Sequence, residues 1–137
     1  MPGIARLSLT ALDCPDPLTL AGFYARLTGW DVDATEEEIT ALPLVSWVEL
    51  RSPEGGPRLA FQRVDGYVRP TWPEGPVPQQ LHLDFDVDSL DLAEADAVAI
   101  GALVAAVQPR PDAFRVMLDP AGHPFCLVLA PAAGSAT

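Results

Sequence analysis

Lysine is absent from the 137 residues. All eight cationic side chains are arginines, set against 19 carboxylates, for a formal net charge of −11. A field of that sign repels phosphate backbones and excludes nucleic acid as an expected partner. Cysteine is scarce as well. Cys14 and Cys126 have neither CxxC spacing nor a metal-knuckle neighbourhood, and such a pair reads as buried, reduced core thiols. No run approaches the ~18 consecutive apolar residues of a membrane span. The segment Met1 to Leu12 carries one charge and no long apolar stretch, so a soluble cytoplasmic protein with no membrane partner is expected. Ser-His-Asp spacing, a glycine-rich phosphate loop and a nucleotide fingerprint are all missing.

What is present is a globular composition, 49% hydrophobic and 20% charged, in a chain long enough for one domain. Its most informative stretch runs from Gln79 to Asp88. Leu81, Leu83, Phe85 and Val87 alternate with His82, Asp84 and Asp86, the pattern of a half-buried strand over 81–87. Its polar face holds one of only two histidines beside two carboxylates. That face is either plain solvated surface or the wall of a concave site.

The chain repeats one plan. In the first half a strand over 6–14 ends at Pro15-Asp16-Pro17, with Asp16 as N-cap and Pro17 at the first helical position. Leu20, Phe23, Tyr24 and Leu27 then recur at helical spacing until Gly29, a C-terminal stop. Trp30 to Val32 forms a short strand or arm. An acidic loop or turn spans Thr35 to Thr40, and strands over 44–50 and 58–64 flank the turn Pro53 to Pro57. In the second half the strand over 81–87 precedes a helix capped by Asp88 or Ser89, with Leu92, Ala95, Val98 and Ala99 as its apolar stripe and Gly101 at its end. Strands over 102–107, 114–118 and 125–129 follow, the last two joined by Asp119-Pro120-Ala121-Gly122. Strand, helix and three strands thus occur twice: module 1 over 5–64, a proline-rich connector over 65–78, module 2 over 79–130 and a fraying tail over 131–137. Each copy is too small to close its own core and should dock on the other. Tyr67 and Trp72 in the connector either pack on a sheet or form a flap.

These pieces resemble the vicinal oxygen chelate superfamily, the glyoxalase and bleomycin-resistance-like proteins, in its glyoxalase-like subgroup. The resemblance is carried by Cys14-Pro15-Asp16-Pro17, Phe23-Tyr24, Leu27-Thr28-Gly29-Trp30, Leu81-His82-Leu83-Asp84-Phe85 and Asp119-Pro120-Ala121-Gly122-His123-Pro124-Phe125-Cys126-Leu127. It is also carried by Leu59 to Val64 with Pro70-Thr71-Trp72-Pro73 and Pro78-Gln79-Gln80. It implies an α+β fold of two tandem βαβββ modules, forming a curved mixed sheet around a cleft, in a chain that dimerises. Metal-bearing members place one ligand on the first and last strand of each module, and the ion acts as a Lewis acid.

Carried over position by position, that set falls at Leu9 (or Thr10), at Ala60 or Gln62, at His82 and at Cys126. Leu9 cannot coordinate, so the tetrad is expected to be lost. A divalent metal, if bound, draws on His82, Gln62 and Glu49. The expected cleft is lined by Asp13, Trp47, Gln62, Trp72, His82, Asp84 and Cys126. His82 and Asp84 are the acid–base candidates, since an imidazole oriented by a carboxylate works near neutral pH; Asp86 reads as solvated rim and His123 as a turn residue. Two functions follow from the resemblance: binding of a small molecule between aromatic walls, as in antibiotic-resistance proteins, or lyase, isomerase or dioxygenase-type chemistry through His82.

Overall fold

The computed structural model describes residues 3–35 and 45–131. The acidic stretch from Glu36, Leu44 and the tail beyond Pro131 lie outside the described residues. The backbone forms two compact units, Met1–Tyr67 and Val68–Thr137.

The first unit runs β1 (Leu9–Cys14), α1 (Pro17–Thr28), β2 (Asp31–Asp33), β3 (Trp47–Arg51) and β4 (Arg58–Arg63). Its sheet has the order β1-β4-β3-β2, with β1 and β4 parallel and the other pairs antiparallel. Asp16 is the N-cap of α1, its side chain accepting from the Leu18 and Thr19 N–H groups, and Pro17 follows as expected. Gly29 ends the helix at φ 74°, a left-handed conformation that favours glycine. Leu20, Phe23 and Tyr24 are buried, and Tyr24 stacks on Phe61 of β4 with ring centroids 5.6 Å apart. The helix thereby covers the sheet face that carries Leu12, Cys14, Val48, Leu50, Leu59 and Phe61, all buried.

The second unit runs β5 (Leu83–Val87), α2 (Leu90–Ala99), β6 (Leu103–Val104), β7 (Phe114–Leu118) and β8 (Pro124–Leu129). Its order, β5-β8-β7-β6, repeats the first: opening and closing strands are parallel neighbours and the remaining pairs antiparallel. The expected α+β class and the twofold βαβββ plan are both present, as two four-stranded mixed sheets and two helices among the described residues.

Several details differ from the sequence reading. The opening strand of the second unit begins at Leu83, so Leu81 and His82 precede it, and Leu81 is exposed. The strand expected over 102–107 shrinks to Leu103–Val104, because Gln108 bonds back to the Ala105 and Val116 carbonyls and to the Val116 N–H. The stripe of α2 lies on another face. Leu92 and Val98 are exposed, whereas Leu90 and Ala97 are buried with Ala93 and Glu94 half-buried between them. Residues 90, 93, 94 and 97 have the spacing of one helical face. A glutamate sits on that face because Arg115 of β7 reaches Glu94 at 3.2 Å and Asp91 at 2.9 Å. Alanines all round the helix hide this from a hydrophobicity count.

Ser89, not Asp88, caps α2, its Oγ accepting from the Leu92 N–H. Ser89→Ala should therefore cost about 1 kcal/mol of stability, while Asp88→Ala stays within about 0.5 kcal/mol. Urea unfolding midpoints at constant slope measure both.

Candidate functional site

Each sheet leaves one face uncovered by its own helix, and the sequence-predicted residues fall on those faces. In the first unit the register sets Asp13 beside Gln62 and Gln62 beside Trp47, one transverse row over three strands. The next row holds Glu49 opposite Ala60. Both Glu49 oxygens are occupied: Arg58 Nη1 donates to one at 2.5 Å and Trp47 Nε1 to the other at 2.9 Å. Arg58 also donates to Ser8 Oγ. Arg58 thereby balances the Glu49 charge, and both Glu49 oxygens already have donors. Leu9 stands seven residues before the N-cap of α1, as His82 stands seven before that of α2. The two positions are equivalent, and one of them has no donor atom.

In the second unit the same face brings an imidazole, a carboxylate and a thiol together. Asp84 is in register with Cys126, and Cys126 with Val116. His82 Nε2 lies 3.3 Å from Asp84 Oδ1. Residues i and i+2 of a strand have Cα atoms too far apart for such contact, roughly 6.5 Å, but His82 sits ahead of the strand and its ring leans toward the carboxylate. Both side chains are about half exposed, 46% and 56%, so the pair adds little stability. Asp86, next on this face, is exposed, as expected of a rim residue.

Around these polar groups the face is apolar. Ala105, Val116 and Cys126 form a buried cluster against which Trp72, Phe114, Leu118 and Val128 pack. The connector tryptophan thus lies on the sheet, held by Thr71, whose N–H donates to the Val77 carbonyl at 2.6 Å. A side chain at Gly122 would collide with the Arg69 guanidinium, so the connector also crosses the β7–β8 turn closely. His123 is a turn residue: Asp119, 1% exposed, accepts from the Ala121 and His123 N–H groups. Phe114, Val116 and Val128 were not singled out from the sequence, although their alternation in phase with Cys126 carries the signal.

A comparison of the chain with family models matches the glyoxalase-like domain over residues 10–128. The chain belongs to the glyoxalase-like domain family. This places it in the vicinal oxygen chelate superfamily. Solved structures agree on the fold. A glyoxalase/bleomycin resistance protein/dioxygenase family enzyme from Burkholderia phytofirmans is 20% identical, with 90% of this chain and 97% of that one covered at a TM-score of 0.63. A glyoxalase-related enzyme from Fulvimarina pelagi is 17% identical, covering 98% and 96% at 0.63. A fosfomycin resistance protein from Mesorhizobium loti is 14% identical, covering 95% of each chain at 0.64. The curated proteins contain no match. No described helix is long and apolar enough to cross a membrane.

For this glyoxalase-like domain the order of the polar cluster limits its chemistry. Asp84 contacts both His82 and Cys126. Burial, and then the Asp84 charge and hydrogen bond, push the Cys126 thiol up to about 11. A nucleophilic cysteine needs the opposite, a neighbouring imidazole that lowers its pKa. Cys126 is thus protonated at neutral pH, donating to Asp84, and is not a thiolate nucleophile.

Because the folded state holds this proton more tightly than an ordinary thiol near 9.0, its stabilising contribution is complete below that pH and is lost as pH rises through about 11. Alkylation of Cys126 by iodoacetamide, followed by peptide mass spectrometry, should stay slow at pH 8. Asp84→Asn should move the alkylation profile to lower pH.

Proposed function

We propose that this glyoxalase-like protein binds a small amphipathic molecule on the helix-opposed face of the second module, without the four-strand metal set of metal-bearing relatives. The carrying observation is the His82–Asp84 pair, half exposed at the margin of an apolar floor that includes Trp72 and Val116. Such sites combine apolar walls with a few polar groups that fix orientation. The ligand's apolar body rests against the tryptophan and valines, and its polar end meets the imidazole and carboxylate. A net charge of −11 without lysine favours a cationic or proton-donating end. On the first module, Leu9 without a donor and Glu49 held by Arg58 and Trp47 support the loss of the metal tetrad. Asp13, Trp47 and Gln62 form one row on that module's open face and are the ligand contacts of this reading there. The protein acts as a cytoplasmic homodimer in this reading.

One observation favours a second, enzymatic reading. Asp84 contacts Nε2 of His82 and so fixes the ring, leaving Nδ1 to take a proton from a substrate. That arrangement suits a lyase or isomerase step at a carbon acidified by a neighbouring carbonyl. Its test is carbonyl-dependent C–H exchange in D2O, followed by NMR and lost in His82→Gln.

Binding is tested by thermal denaturation against matched sets of aromatic cations, neutral isosteres and carboxylates. Aromatic cations at about a hundred times Kd should stabilise by roughly 2.7 kcal/mol, a rise of several degrees in Tm. Trp72→Ala should abolish the rise. Equal stabilisation by carboxylates sinks the charge argument, and an unchanged rise in Trp72→Ala sinks the site.

A further inference from the structure

We infer that residues 71–77 of the connector form a lid that lifts as one body from the open face of the second module, with Trp72 as the plug it raises. The lid is a closed ring. Thr71 donates to the Val77 carbonyl from its N–H at 2.6 Å and from Oγ1 at 3.0 Å, and Oγ1 accepts from the Val77 N–H at 3.2 Å. Gly75, at φ 138°, crosses Thr71 so closely that a Cβ there would stand 2.4 Å from Oγ1. The threonine thus fills the interior of the ring. Pro73 and Pro76 within it, and Pro70 and Pro78 beside it, hold φ fixed. Such a segment has little internal freedom and moves as a unit.

What holds the lid down is weaker than what holds it together. Among the described residues, no hydrogen bond ties 71–77 to the sheet. The contact is apolar, Trp72 against the cluster of Ala105, Val116 and Cys126. Trp72 is only half-buried there, so lifting it uncovers part of one side chain and breaks no polar bond. Both ends are tethered: Arg69 lies across Gly122 of the β7–β8 turn, and Gln79 follows the Thr71–Pro78 bridge at the base of the ring. The second tether carries a penalty. Gln79 Oε1 is buried with no hydrogen-bond donor, and an unpaired buried acceptor costs free energy that a movement exposing it to water recovers. That cost falls on the closed state and narrows its advantage over the open one. The lid rests on the ligand site proposed above for its purpose. Raised, it uncovers Val116 and Cys126 beside the His82–Asp84 pair, and a planar ligand that enters is covered again by the indole.

The test uses the full chain without ligand, so its outcome is independent of whether any aromatic cation binds. The protein is labelled with fluorotryptophan, and the Trp72 resonance is assigned by its loss in Trp72→Phe. Fluorine relaxation dispersion should show microsecond-to-millisecond exchange at Trp72 and not at Trp30 or Trp47. Gln79→Met, which removes the orphaned acceptor at similar volume, should reduce that exchange. Thr71→Val, which removes the hydroxyl that closes the ring, should shift the Trp72 resonance toward its solvent-exposed position, and Thr71→Ser should restore it. A flat profile at Trp72, exchange of equal size at all three tryptophans, or exchange unchanged in Gln79→Met overturns the inference. Exchange confined to Trp72 in a protein that no cation, neutral isostere or carboxylate stabilises upholds the lid and removes the binding reading alone.

Discussion

Parallel pairing of the opening strand with the closing strand is the constraint from which the rest of each module follows. Parallel neighbours cannot be joined by a tight turn, so the chain between them must cross over. Here the crossover is one helix and two antiparallel strands, β1 to β4 and β5 to β8. The helix covers one face of the sheet and the turn lengths set the register. Residues remote in sequence then meet on the other face: Asp13 with Gln62, and Asp84 with Cys126. The candidate site residues lie on that uncovered side.

The two modules use this common frame differently, and the difference turns on where one arginine sits. In the first module Arg58 lies on the uncovered face and ties down Glu49, which also accepts from Trp47. In the second, Arg115 lies on the helix side and compensates Glu94 and Asp91. The uncovered face of the second module is left with an imidazole, a carboxylate and a thiol on an apolar floor. A strand sends neighbouring side chains to opposite faces, so which carboxylate an arginine can reach depends on the face its position falls on. Shared fold with the Burkholderia, Fulvimarina and Mesorhizobium proteins at 14–20% identity carries no such information, because function resides in the site and not in the fold.

Much of the architecture was legible before any coordinates. Asp16-Pro17 and Gly29 bracket a helix because capping and left-handed termination are local chemistry, satisfied by a few residues in a row. Alternation over β5, the Asp119 to Gly122 turn and the twofold repeat were equally readable. Less legible was the face of α2, where a buried-side glutamate depends on Arg115 from another strand. The short β6 also escaped, since Gln108 diverts the backbone groups that would have extended it.

The elements, their order and their duplication, along with the family, could be read from neighbouring residues, because local hydrogen bonding and side-chain periodicity are written there. The sequence also nominated His82, Asp84 and Cys126. That Asp84 touches both of the other two, and that Glu49 is already engaged, came from the folded chain. It also decided that Trp72 lies on the second sheet. Those outcomes depend on register and on which face an arginine occupies, and both are set when distant strands pair.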